Sequence, residues 1–155
     1  MKTLRFRVSK LTAILAAVYG LSFSLTVGAA QGAPIVGLWR DHYQSNVVEH
    51  QFETYQQFHN DGLEIEAPDF APGVCMGTWK QTTQARIVKI FHVGFTNGAG
   101  PPGSVRFELR ELDTVSQDRH SFDGNYDQTF YDADGNVVLE DMGSIHGTRL
   151  SVTQY

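Results

Sequence analysis

The chain has 155 residues, a formal charge of −5 and one cysteine, Cys75. A lone cysteine excludes an intramolecular disulfide, and net acidity makes nucleic acid or an anionic membrane a poor partner, because their phosphates repel it. A chain of this length builds one adequate core.

Residues 1–30 read as an export signal. Lys2, Arg5, Arg7 and Lys10 precede an apolar run from Leu11 to Val27, followed by Gly28, Ala29 and Ala30. Basic, then apolar, then small is the order of a secretory signal peptide. The run spans 17 residues and contains Gly20, Ser22, Ser24 and Thr26, short of the roughly 20 apolar residues that cross a bilayer. Cleavage is expected after Ala30, with Ala33 as second choice. The remaining domain, 31–155, then holds eight basic and seventeen acidic residues, a charge of −9. It has no second apolar run, and its expected location is the periplasm or the cell exterior.

From Pro34 onward the pattern is strand. Short segments rich in β-branched and aromatic residues are separated by Gly, Pro, Asn and Asp. The expected strands are 35–44, 48–59, 62–67, 75–83, 86–95, 104–113, 119–131, 136–142 and 144–153. Val105–Arg110 alternates strictly, apolar with charged, so one face meets a core and one meets water. Ile87–Gly94 is apolar on both faces, which predicts a strand covered on each side. Asn60-Asp61-Gly62 and Asp132-Ala133-Asp134-Gly135-Asn136 are hairpin turns. Asn97–Gly103, with two prolines and three glycines, is a loop, as is Ala67–Gly73.

Eight or nine antiparallel strands in one domain predict an all-β meander closed into a small barrel of about eight strands, since closure removes aggregation-prone edges. A sandwich of two open sheets is the alternative. A barrel of that size just holds one small ligand.

Gly37-Leu38-Trp39 near the start of the domain, with Arg149 near its end, resembles the structural signature of lipocalins and other calycins. That resemblance implies a barrel in which Arg149 packs over the Trp39 indole and closes one end. A guanidinium both stacks on an indole and donates to nearby carbonyls. A broader resemblance runs through Phe58-His59-x-Asp61-Gly62-x-Glu64, Val74-Cys75-Met76-Gly77-x-Trp79-Lys80, His92-x-Gly94, Gly124-x-Tyr126-Asp127 and Tyr131-Asp132-x-Asp134-Gly135-Asn136. These motifs are similar to those of a group of secreted bacterial proteins with no established activity, which implies compartment and fold but no chemistry. The last of them also resembles a turn of allene-oxide-cyclase-like and dirigent barrels.

The polar residues offer several readings. His59, Asp61 and Glu64 surround one hairpin, and a histidine oriented by a carboxylate is a general base; a turn in which Asp61 merely bonds its own backbone is the plainer account. His92 lies in the most apolar segment, as either a buried imidazole bonded to backbone or a lumen-facing acid–base group. His42, His50, His120 and His146 have polar neighbours and belong on the surface, and no His pair has metal-ligand spacing on one element. Asp132-x-Asp134-Gly135 lacks the later ligands of a calcium loop and reads as a turn. Cys75, beside Val74 and Met76, reads as a small core residue rather than a nucleophile. No nucleophile elbow, phosphate loop or dinucleotide fingerprint is present.

The expected function is a barrel binding a small apolar or aromatic molecule in its lumen, without a cofactor or metal, through Tyr55, Phe58, Trp79, Lys80, Phe91 and His92. The alternatives are a cofactor-free cyclase, isomerase or hydrolase using His59 or His92 with Glu64 or Asp61, and a protein-interaction module with a solid core.

Overall fold

The structure, a computed structural model, describes residues 32–69 and 72–152. The expected signal at 1–30 lies outside the described residues. Eight strands follow in chain order: β1 Gly37–Ser45, β2 Gln51–Phe58, β3 Leu63–Pro68, β4 Cys75–Gln81, β5 Ile87–Phe95, β6 Arg106–Val115, β7 Ser121–Tyr131 and β8 Val137–Arg149. Each pairs antiparallel with the next, and β8 returns to β1, closing the barrel in the order of the sequence. The meander is therefore a barrel and not a sandwich. No helix among the described residues is long and apolar enough to cross a membrane.

The turns behave as their chemistry requires. Asp61 accepts from the Leu63 amide at 3.2 Å, and Asp132 accepts from the amides of Asp134 and Asn136 at 3.0 and 2.8 Å. Gly62 and Gly135 supply the positive φ, 89° and 85°, that tight hairpins need.

One expected boundary is wrong. The two strands expected over 136–142 and 144–153 are replaced by a single long strand, β8, which runs unbroken from Val137 to Arg149. Gly143 lies inside it, not at a break: a Cβ there would collide with the Gln44 carbonyl and the Tyr126 ring. Glycine here makes room for a neighbouring strand rather than a turn.

One end of the barrel is sealed by its termini. Trp39 is fully buried and donates from Nε1 to the Ile35 carbonyl at 2.7 Å. Arg149, its register partner across β1 and β8, places Cζ 4.2 Å from the indole centroid. The guanidinium donates to the carbonyls of Arg119 and Val36, each at 2.6 Å, and to that of Pro34. Gly37, with φ 142°, leaves the space that Nη1 of Arg149 fills. Phe122 meets the indole edge-on at 5.0 Å. The other end carries the connections 46–50, 96–105 and 132–136, of which 96–105 is the longest.

β5 departs from expectation. Val88, Ile90 and His92 face inward and are buried, but Phe91, Val93 and Phe95 on the outer side are exposed. Its second apolar face meets solvent.

Candidate functional site

The inward row of each strand sets what the barrel contains. Parity from Trp39 carries β1 inward at Asp41, Tyr43 and Ser45, and parity from Phe107 and Leu109 carries β6 inward at Glu111 and Asp113. On β3 the apolar residues Leu63 and Ile65 face out while Glu64 and Glu66 face in. Asp141 enters from β8. Six carboxyl side chains are therefore buried among the described residues, with His92 the one buried histidine.

His92 sits between two of them. Its Nδ1 lies 3.4 Å from Oε2 of Glu64 and its Nε2 3.2 Å from Oε2 of Glu66. The Tyr43 hydroxyl bridges Glu66 at 3.0 Å and Glu111 at 2.6 Å. Glu64, His92, Glu66, Tyr43 and Glu111 thus form one buried chain of polar contacts, hydrogen-bonded at Tyr43 and in ion-pair range without hydrogen-bond geometry at His92. The side chains of Asp41 and Gln56, both fully buried, have no hydrogen-bond partner among the described residues. The cluster also needs space: a Cβ on Gly77 would press on His92 and Glu64, and one on Gly124 on Asp113.

Electrostatics follow from this crowding. Burial, reinforced by Glu111 and Glu66, raises the Asp41 carboxyl well above the usual range. Burial likewise raises Glu111, with Asp113 adding repulsion, and raises Glu66 against the pull of His92. Asp113 is pushed by burial up to about 8. For His92, burial favours the neutral form, but Glu66 and Glu64 outweigh it and hold the imidazolium to about 9. Like charges in a low dielectric cannot all ionise, so the cluster holds protons at neutral pH.

The expected site residues divide by wall face. Phe58 and His92 point inward and are buried, and Glu64 joins His92. Trp79 is partly buried near the sealed end, edge-on to Phe58 at 6.3 Å, with Nε1 donating to the His59 carbonyl at 2.9 Å. Tyr55, Lys80 and Phe91 point outward, so they do not line the lumen as expected. A strand alternates, and of two neighbours such as Phe91 and His92 only one faces in. His59 follows β2 in the hairpin and pairs with neither Asp61 nor Glu64; Asp61 serves its own turn. Cys75 is buried, with its thiol pushed by burial up to about 12, as a core residue should be.

The sequence reading missed Asp41, Glu66, Glu111, Asp113 and Tyr43. A signal was present: extending the alternation of Phe107 and Leu109 by two steps puts Glu111 and Asp113 inside.

At the loop end, above the cluster, lies a cavity of about 400 Å³. Val48, Phe52, Pro101, Phe130 and Leu139 make its apolar walls, and Gln128 and Asp141 also line it. Asp141 accepts from Ser45 Oγ at 2.5 Å and from the Tyr126 hydroxyl at 3.0 Å. On the outer wall His42 and His146 are register partners, flanked by Glu53 and Asp123. No three His, Cys, Asp or Glu side chains among the described residues are arranged to hold a metal ion.

No family model matches the chain, and neither does any curated protein or solved structure.

Proposed function

We propose that the protein is an exported, lipocalin-like carrier that binds one small molecule at the loop end of its barrel. The observation that carries this reading is the mouth cavity, with apolar walls and two buried polar groups. Its size lies within the range of small-molecule sites, and a few convergent polar groups in an apolar cleft fix ligand orientation. The ligand has an apolar or aromatic body for Phe52 and Phe130, and a hydrogen-bond donor for Asp141. The carboxyl groups below the mouth favour a neutral or cationic head and disfavour an anionic one. The arginine-capped indole at the opposite end matches the lipocalin-like reading.

Native mass spectrometry of protein secreted by its own host tests this, together with the fluorescence of the neutral probe N-phenyl-1-naphthylamine. A bound species or saturable probe binding, lost in Phe130→Ala, supports the proposal. Probe binding unchanged in that variant sinks it.

A second reading rests on a different observation, the imidazole held between Glu64 and Glu66. Such a group donates or accepts a proton readily, as a cofactor-free isomerase or cyclase needs. Because His92 is fully buried, a substrate must first displace side chains to reach it. The mouth needs no such opening, so binding takes precedence.

A further inference from the structure

A second recess, of about 1000 Å³, lies across the outer wall of β4, β5, β6 and β7. It is built from two cross-strand rows. One runs Lys80, Lys89, Leu112 and Asn125, and the other Thr78, Phe91, Arg110 and Asp127, each residue directly opposite the next. Its outward side chains bring three cations together against the single carboxylate of Asp127. In a chain with a formal charge of −5 that concentration runs against the overall field.

Lys80 and Lys89 face each other across the ladder, and no ion pair includes either among the described residues. Like charges directly opposite destabilise a sheet, so the pair costs stability unless an anion sits between the two ammonium groups. Arg110 shares Glu108 at 3.2 Å and holds Cζ 5.0 Å from the Phe91 centroid. Phe91 and Leu112 are exposed apolar surface beside these cations, and the next row, Ile65, Met76 and Val93, extends it. Cations at one edge of an apolar strip match a molecule with one anionic head and one hydrocarbon tail.

We propose that this outer recess binds a single-chain anionic amphiphile. Its head lies between Lys80 and Lys89 and its tail runs over Phe91 toward Val93 and Met76. The site is independent of the mouth: it lies on the other side of the wall and selects the opposite charge.

Isothermal titration with dodecanoate below its micellar concentration is the test, using the intact exported domain. One-to-one binding is expected, weakened about tenfold or more in Lys80→Gln/Lys89→Gln, as loss of a charge-assisted contact implies. It should weaken with added salt, be absent for dodecan-1-ol, and be unaffected by Phe130→Ala. Both lysines are exposed, so the double variant retains the fold, which circular dichroism verifies. Dodecanoate binding that ignores the lysines, or that disappears in Phe130→Ala, overturns the proposal. So does the absence of binding, including the case in which sedimentation finds copies of the chain associating through this face instead.

Discussion

The barrel wall is one residue thick, and it separates charge in the direction opposite to habit. Inside, six carboxyl groups are buried with one imidazole, which pairs with two of them; outside, across the same β5 and β6, Lys89 and Arg110 stand beside Phe91 and Leu112. Soluble proteins ordinarily bury apolar side chains and expose acids. On β3 the inversion is complete, with Leu63 and Ile65 in solvent and Glu64 and Glu66 in the core. A polar interior of this kind is a poor source of stability, and an apolar exterior of this kind marks a contact surface. The two departures meet back to back on β3, β5 and β6, where buried Glu64, Glu66, His92 and Glu111 alternate with exposed Leu63, Ile65, Phe91 and Leu112.

The largest break in this contrast comes from removing the one buried cation. His92→Gln leaves Glu64 and Glu66 without their counter-ion, and loss of one partner from a buried ionic group costs about 3–5 kcal/mol. Urea unfolding should show that loss near neutral pH and a clearly smaller one in acid, where Glu66, its carboxyl raised by burial, takes up a proton and no longer needs the imidazolium. An equal loss at both would mean that His92 matters only by its shape.

The pH dependence of the unaltered protein comes next. Asp41, Glu66, Glu111 and Asp113 all have raised values in the fold. Each contributes stability that is full below the ordinary carboxyl range and lost as pH rises through the folded value, which for Asp113 is about 8. His92 has the same sign: its contribution is full below 6.5 and lost as pH rises through about 9. The folded state therefore binds the extra protons throughout, and stability should fall from weakly acidic to alkaline pH by a few kcal/mol. Exposed Asp118 and Asp132 are lowered, and their opposing slope is confined to stronger acid. Urea midpoints across that range check the slope, and Asp113→Asn should flatten it. A stability that rises toward alkaline pH contradicts the buried cluster outright.

At the sealed end the barrel follows ordinary rules, and a substitution there sharpens the contrast. Arg149→Lys keeps the charge but loses the planar stack on Trp39 and the fork to three carbonyls. A loss of about 1–3 kcal/mol is expected, measurable by thermal unfolding, with little change in its pH slope. If the slope changes as much as in Asp113→Asn, the two ends are not electrically separate.

How much of this was legible depends on which physical signal each part rests on. The turns at Asn60–Gly62 and Asp132–Asn136 rest on local backbone chemistry, and they gave the hairpins directly. Closure of β8 onto β1 followed from strand number and the cost of edges. Gly143 misled because its role is to admit the Gln44 carbonyl, a tertiary contact that no local pattern carries. The cluster was hidden for a related reason. Hydrophobicity assigns Leu63 and Ile65 to the core, whereas strand parity across closed register assigns Glu64 and Glu66, and in a barrel register wins over composition. Of the site residues, His92 and Glu64 were legible, His92 because its strand is apolar throughout; Glu66, two residues beyond Glu64 on the same inward row of β3, was not.

The smallest expected effect tests the outer side of the wall. Lys89→Thr removes one of two ammonium groups that face each other across β4 and β5, and threonine suits a strand. Relief of a directly opposed like-charge pair should stabilise the barrel by about 0.2–1 kcal/mol, read as a raised urea midpoint. The gain should shrink in high salt, which already screens the repulsion. The same variant should bind dodecanoate more weakly than the parent protein. A gain in stability with a loss of binding is what a lysine kept for a ligand predicts. A lysine kept for solubility alone would leave dodecanoate binding unmoved, and a lysine that supports the sheet would lower the midpoint instead.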